Sequence, residues 1–426
     1  MASSISQGLV DEAVAKVFLG VAENLLLYED ISTFIKNNLT ISPDDQFGYG
    51  VGPRGSPRLK KALTSSFQNN FDAERPIREE NLLILPGVGG ALDALAWSIC
   101  DDGEGIIIPV PFWSGISQGV GERTRGVMIP AIYQSIEGYQ GLDDLFDPEI
   151  NKKALEKALQ QATKDNVKVK GVMLCNPHNP LGRCCPVETL REIAGFCGQH
   201  NLHLISDEVF AMSVYDNLEV PDTVPFTSVL ALDLEDKIDP RNVHVAYGMG
   251  KDFCAARFRI GVLHSRNEAE FLFSVLGWVP YIVQDMWASI LTDDEFRIDF
   301  MHKNRRLLAE HSEILTAFLR EYDIPYYSKV NAGVFAWVSL QRYLRDKSED
   351  SATNSFKSNG QFYREREMTL WDRLLASGVG LGLGGWYSSE EPGWFRISFA
   401  VEKEALRIGL ERLIKTLRQV EAEGWK

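Results

Sequence analysis

Residues 242–262 read NVHVAYGMGKDFCAARFRIGV, an apolar run that stops at Lys251 and a second that resumes past Arg257 and Arg259. A lysine at the mouth of a buried strand is costly, because desolvation works against its ammonium form. The same cost suits it to Schiff-base chemistry, in which the neutral amine attacks a carbonyl carbon. Working outward from this pair, short apolar runs recur from about residue 81 to 265. NLLILPG, EGIIIPVP, VMIPAIY, VKGVMLCNP, LHLISDE, NVHVAYG and FRIGVLHS read as strands. GGALDALAWSIC, PEINKKALEKALQQA and PVETLREIAGFCGQH read as helices between some of them. Near-continuous apolar strands alternating with helices predict an α/β fold with a mostly parallel central sheet covered by helices on both faces.

At 426 residues the chain exceeds the size at which one core stops growing, so two lobes are expected. On the N-terminal side, DEAVAKVFLGVAENLLLYEDISTFI is expected to be helical in part. SPRLKKALTSSF starts a helix with Ser56 as cap and Pro57 at its first position. On the C-terminal side, DEFRIDFMHKNRRLLAEHSEILTAFLREY reads as a long connecting helix and VNAGVFAWVSL and GWFRISFA as strands, before a closing helix in VEKEALRIGLERLIKTLRQVEAEG. The expected division is a large domain over 50–300 and a smaller α+β domain made of 1–49 and 301–426. The polar, Ser-rich stretch 345–361 reads as a surface loop.

With 44 Lys and Arg against 59 Asp and Glu, the net charge of -15 argues against a nucleic-acid partner. No run approaches the length of a membrane helix, and the first residues lack the pattern of a secretory leader, so a cytoplasmic protein is expected. The six cysteines include no C-x-x-C pair and read as reduced structural thiols.

In open α/β sheets ligands gather at the carboxyl ends of the strands, which directs attention to the polar residues there. In ILPGVGGALDAL a strand ends in glycines and opens a helix, leaving the amides of Val88, Gly89 and Gly90 to face an anion. Trp113 follows the strand EGIIIPVP, either as a ring that stacks on an aromatic cofactor or as a core tryptophan. Asn179, between prolines in NPHNPLG, is a fixed donor or part of an ordinary turn. Asp207 ends LHLISDE as a helix cap, or as a carboxylate able to keep a pyridine nitrogen protonated. Arg259 lies eight residues past Lys251 and can grip a phosphate with two hydrogen bonds. An imine-forming amine, a pyridinium partner, a phosphate cradle, a stacking ring and a phenolate donor together fit pyridoxal 5'-phosphate.

With these motifs the chain resembles the fold-type I pyridoxal phosphate enzymes, and among them the 1-aminocyclopropane-1-carboxylate synthase and class I/II aminotransferase group. The likeness runs through LGVAENLL, NPHNPLG, SDEVF, GKDFCAARFRIG, NAGVFAWV and EPGWFRISFA, nearly the whole chain. It implies that Lys251 carries the cofactor and Asp207 pairs with the ring nitrogen. It places Asn179 on the ring oxygen, Trp113 on the ring, and Val88, Gly89 and Arg259 on the phosphate. It puts Arg396 on the substrate α-carboxylate and Glu23 near the substrate. Tyr49 matches the tyrosine that reaches a neighbouring subunit's phosphate, which implies a homodimer with shared active sites. Two positions depart from the pattern: Phe210 stands where a tyrosine usually contacts the ring oxygen, and Gly248 where a serine usually contacts the phosphate.

The resemblance implies abstraction of the Cα proton of an amino-acid substrate. Expulsion of a sulfur leaving group, from S-adenosylmethionine or a cysteine conjugate, is the expected outcome; amino-group exchange with a 2-oxo acid is the alternative. A degenerate relative acting as a binding protein is a third reading, disfavoured because such polar groups are costly to bury without a ligand.

Overall fold

The computed structural model describes residues 16–50, 54–117, 121–220, 222–267, 278–345 and 360–425. Within them the strands are β1 (Val17–Phe18), β2 (Leu82–Leu85), β3 (Gly105–Pro109), β4 (Val127–Ala131), β5 (Val169–Cys175), β6 (His203–Asp207), β7 (Val243–Gly248), β8 (Gly261–Ser265), β9 (Phe335–Ser339), β10 (Val379–Gly380), β11 (Gly382–Leu383) and β12 (Trp394–Ser398). All seven apolar runs expected as strands are strands of one sheet, in the order β2-β8-β7-β6-β5-β3-β4. Pairing is parallel from β7 through to β4, whereas β8 is antiparallel to both β7 and β2. A parallel return needs a crossover element that spans the sheet. Between β7 and β8 there is only the helical turn Met249–Asp252 and a 3-10 turn at Ala256–Phe258, so the chain reverses instead.

The helices Gly87–Ile99, Pro148–Lys164 and Val187–Gln199 pack against this sheet. Ser56 caps the helix Pro57–Asn70 as expected, its Oγ accepting the Leu59 amide at 3.1 Å. The helix Asp294–Glu321, capped by Asp293, leads to a second unit. There β11-β12-β9 form an antiparallel sheet, flanked by the helices Gly360–Ala376 and Lys403–Glu423. One apolar core surrounds the large sheet, and a second centres on Phe335, Phe395 and Leu413. Val209 and Phe210, directly after β6, belong to the second core. The carboxyl edge of the large sheet is therefore joined to the smaller sheet by packing.

The N-terminal arm is helical in part, as expected. Its helix, Tyr28–Asn38, begins late, and the residues before it are extended: β1 pairs in parallel with β10, and Leu19 is hydrogen-bonded to Gly380 and Ser398. A Cβ on Gly20 would sit 2.7 Å from the Leu381 carbonyl carbon, so this close passage requires glycine. Residues 1–15, with the leader reading, and 346–359, with most of the Ser-rich stretch, lie outside the described residues. Among the described residues no helix is long and apolar enough to cross a membrane. All six cysteines are free thiols, five of them buried.

Candidate active site

The strand ends deliver the side chains. Asp207 closes β6, in register with Ala246 of β7, and Lys251 sits in the helical turn that follows β7. Asn179 lies in the loop after β5, and Arg396 arrives on β12 of the smaller sheet. The Arg396 guanidinium donates to Asn179 Oδ1 at 2.9 Å and to the Gly20 carbonyl at 2.7 Å. It also faces the rings of Phe335 and Tyr387, at 4.8 and 4.9 Å. Lys251 Nζ donates to the Ala22 carbonyl. The extended arm thus lies across the site, and its Gly20–Asn24 segment is where Glu23 also sits.

Electrostatics follow from burial. The Lys251 amine is brought down to about 8, first by desolvation and then by the neighbouring charge of Arg396, with Glu23 and Asp207 opposing. A shift of that size is worth about 3 kcal/mol in favour of the neutral, nucleophilic form. Asp207 is 4% exposed, and burial pushes its carboxyl up to about 7 against the opposing pull of the Val209 amide and Lys251. Among the described residues it accepts one hydrogen bond, from Val209 at 3.2 Å, and forms no ion pair. A protonated ring nitrogen would supply the cation that this carboxylate lacks.

A cradle for an anion lies alongside. The helix Gly87–Ile99 follows Pro86 with no side-chain cap, so its first amides are available. Gly87 has φ of +78°, and a Cβ there would meet Arg259 Nη2 at 2.7 Å; in front of Gly89 a Cβ would meet nothing within 4 Å. The arginine is therefore placed beside an open helix N-terminus, as a bound phosphate requires. Among the described residues the buried Arg396 Nε has no hydrogen-bond partner, leaving a donor that a substrate carboxylate can use. On these three counts the residues fit pyridoxal phosphate and an α-amino acid.

Two departures from the family pattern acquire physical reasons. Phe210 is 1% exposed and sets its ring edge-on to Phe335, 5.3 Å between centroids, beneath Arg396. A Cβ on Gly248 would sit 3.0 Å from both the Ile260 carbonyl oxygen and Val88 Cγ2, so a serine would crowd the start of the cradle. Trp113 is 38% exposed and folds over Gly115, which removes the core reading. Tyr49 is apart from the rest: it is 84% exposed, its ring beside that of Trp278.

Sequence reasoning missed Asp252. This fully buried carboxylate accepts from Met212 N at 3.0 Å, Ser213 Oγ at 2.5 Å and Tyr247 Oη at 3.0 Å, tying the Lys251 turn to the segment after Asp207. A charged residue opening the apolar run DFCAARF was the available signal. Glu208 was missed too; it accepts from Ser206, Ser228 and Val229 and anchors the other side of Asp207.

The family described as aminotransferase class I and II matches residues 16–413. The chain is 27% identical to 1-aminocyclopropane-1-carboxylate synthase of Glycine max, covering 93% of this chain and 79% of that protein. It is 30% identical to 1-aminocyclopropane-1-carboxylate synthase-like protein 1 of Mus musculus (94% and 75%). It is also 30% identical to "Probable aminotransferase gliI" of Aspergillus fumigatus (88% and 83%). Among solved structures, aspartate aminotransferase from Thermus thermophilus with maleate superposes with a TM-score of 0.71 at 20% identity, covering 95% of this chain and 92% of that one. With the family matched along nearly its whole length and the fold shared, this chain belongs to the aminotransferase class I and II family of pyridoxal phosphate-dependent enzymes.

Proposed function

We propose that the protein removes the Cα proton of an amino acid and expels a sulfur leaving group from its side chain. The substrate is S-adenosylmethionine, by α,γ-elimination, or a cysteine conjugate, by β-elimination. The observation that carries this reading is a half-buried Lys251 at the carboxyl edge of the sheet that also holds Asp207, with Arg396 brought in from the other sheet. Bound pyridoxal phosphate supplies an electron sink for the pair left at Cα. Arg396 grips the substrate carboxylate with its fork, and Lys251 Nζ, neutral once the pH passes about 8, accepts the α-proton. Asp207 would keep the ring nitrogen protonated, and Asn179, whose Oδ1 accepts from Arg396, has its Nδ2 available to donate to the ring oxygen. Val88, Gly89 and Arg259 would hold the phosphate, Trp113 would cover the ring, and Glu23 would face the substrate. The likeness to the synthases along the chain supports elimination; the likeness to the Aspergillus protein supports aminotransfer as the second reading.

The same reading takes 50–300 as the cofactor lobe, 1–49 with 301–426 as the smaller lobe, and a homodimer in which the exposed Tyr49 reaches the partner's phosphate. A cytoplasmic location is in keeping with six free thiols. Incubation of the cofactor-loaded protein without any 2-oxo acid tests the chemistry. Cysteine thioethers are expected to yield thiol, pyruvate and ammonium in equal amounts, or S-adenosylmethionine to lose its thioether nucleoside, as read by mass spectrometry. Turnover that depends on an added 2-oxo acid and leaves sulfur in place would replace this reading by aminotransfer.

Phe210 allows a spectral check. Without a phenol on the ring oxygen, the cofactor chromophore is expected to keep its proton to higher pH. Phe210→Tyr should lower the midpoint of the visible pH titration by about one unit; an unchanged midpoint would contradict this role.

A further inference from the structure

We infer that Glu390 is a positioning residue, a latch that fastens the loop leading to Arg396 onto the large sheet and so seats that arginine for the substrate carboxylate. The inference rests on the reading of Arg396 given above. Residues 384–393 connect β11 to β12 and cross to the carboxyl ends of β3 and β4. Glu390 Oε2 accepts the Tyr133 amide at 3.0 Å, and Oε1 accepts the next amide, Gln134, at 2.9 Å. Gln134 Nε2 returns a bond to Glu391 Oε1 at 2.9 Å, and the Phe112 amide donates to the Tyr387 carbonyl at 2.9 Å. Two successive amides aimed at one carboxylate form an anion-binding concavity, and charge-assisted bonds of this kind are about twice as strong as neutral ones.

The loop is stiff enough to pass that restraint on. Glu367, with a side chain 1% exposed, accepts the Gly393 amide at 3.2 Å and Arg364 Nη1 at 2.8 Å. Gln341 donates to the Pro392 carbonyl at 3.0 Å. Tyr387, in the same loop, lays its ring beside Trp337 at 5.4 Å and against the Arg396 guanidinium. Releasing Glu390 therefore loosens the hold of the large sheet on this loop and on the Tyr387 ring that faces Arg396, while Lys251 and the phosphate cradle stay on the large sheet.

The experiment uses the cofactor-loaded protein and two probes that differ in the carboxylate: L-methionine and 3-methylthiopropylamine, each titrated through the change in cofactor absorption. Glu390→Gln keeps the shape but turns an NH₂ toward one of the amides; Glu390→Asp is too short to span both. Each is expected to weaken methionine binding about tenfold and to leave the amine unchanged, with cofactor content and melting temperature close to wild type. Equal effects on both probes, or none on methionine, would overturn the latch. Arg396→Leu separates the two inferences. If it weakens methionine selectively while the Glu390 variants do not, the latch alone fails; if it affects both probes alike, the carboxylate clamp fails and the latch with it.

Discussion

Lys251→Arg is expected to lower turnover on the order of 10⁴-fold, the upper range for loss of a general base, while the fold is retained. Arginine keeps a positive charge on a slightly longer side chain, and it can still reach the Ala22 carbonyl that Lys251 contacts. What it cannot do is give up its proton at any working pH. Lysine can, because burial and Arg396 bring its amine down to about 8. The substitution therefore removes the neutral nucleophile and leaves the electrostatics of the site nearly intact. Single-turnover rates with substrate carrying deuterium at Cα will show whether the lost step is proton removal; a variant within tenfold of wild type would contradict the assignment.

Asp207→Asn is expected to cost about 10³ in kcat, comparable to deleting one preorganised electrostatic contact, with KM changed far less. The residue is buried and nearly isosteric with asparagine, so packing is preserved. The change removes the carboxylate charge that would hold a proton on the ring nitrogen. Glu208 and Asp252 fix the backbone on either side and continue to do so in the variant. Steady-state kinetics would sink this role if kcat and KM moved together by less than tenfold.

The large sheet was legible because its strands are buried on both faces, which leaves runs such as LLIL and GIIIP without polar alternation. The direction of β8 was not, since an apolar run carries no sign of which way it points; the shortness of the turn after Lys251 decided it. Where the helix of the N-terminal arm starts was not legible, for a related reason. Apolar residues over 17–27 are compatible with a helix until the passage of Gly20 past Leu381 is known, and that contact spans most of the chain. Lys251, Asp207 and Asn179 were legible as polar residues at strand ends and Arg396, within β12, through the family resemblance alone; the structure brings them together. The bond between Arg396 and Asn179, the hub at Asp252 and the crossing of Glu390 to Tyr133 and Gln134 were not. Each joins segments distant in sequence, and only Asp252 left a local sign, as a charge opening an apolar run.

The central claim is that Lys251 is the residue to which the cofactor is joined. Reduction of the cofactor-loaded protein with borohydride, followed by proteolysis and mass spectrometry, reads this directly. The account predicts loss of the yellow colour and a single phosphopyridoxyl group on the peptide that contains Lys251. An adduct on any other lysine, or a protein that takes up no cofactor and yields no adduct, would contradict it.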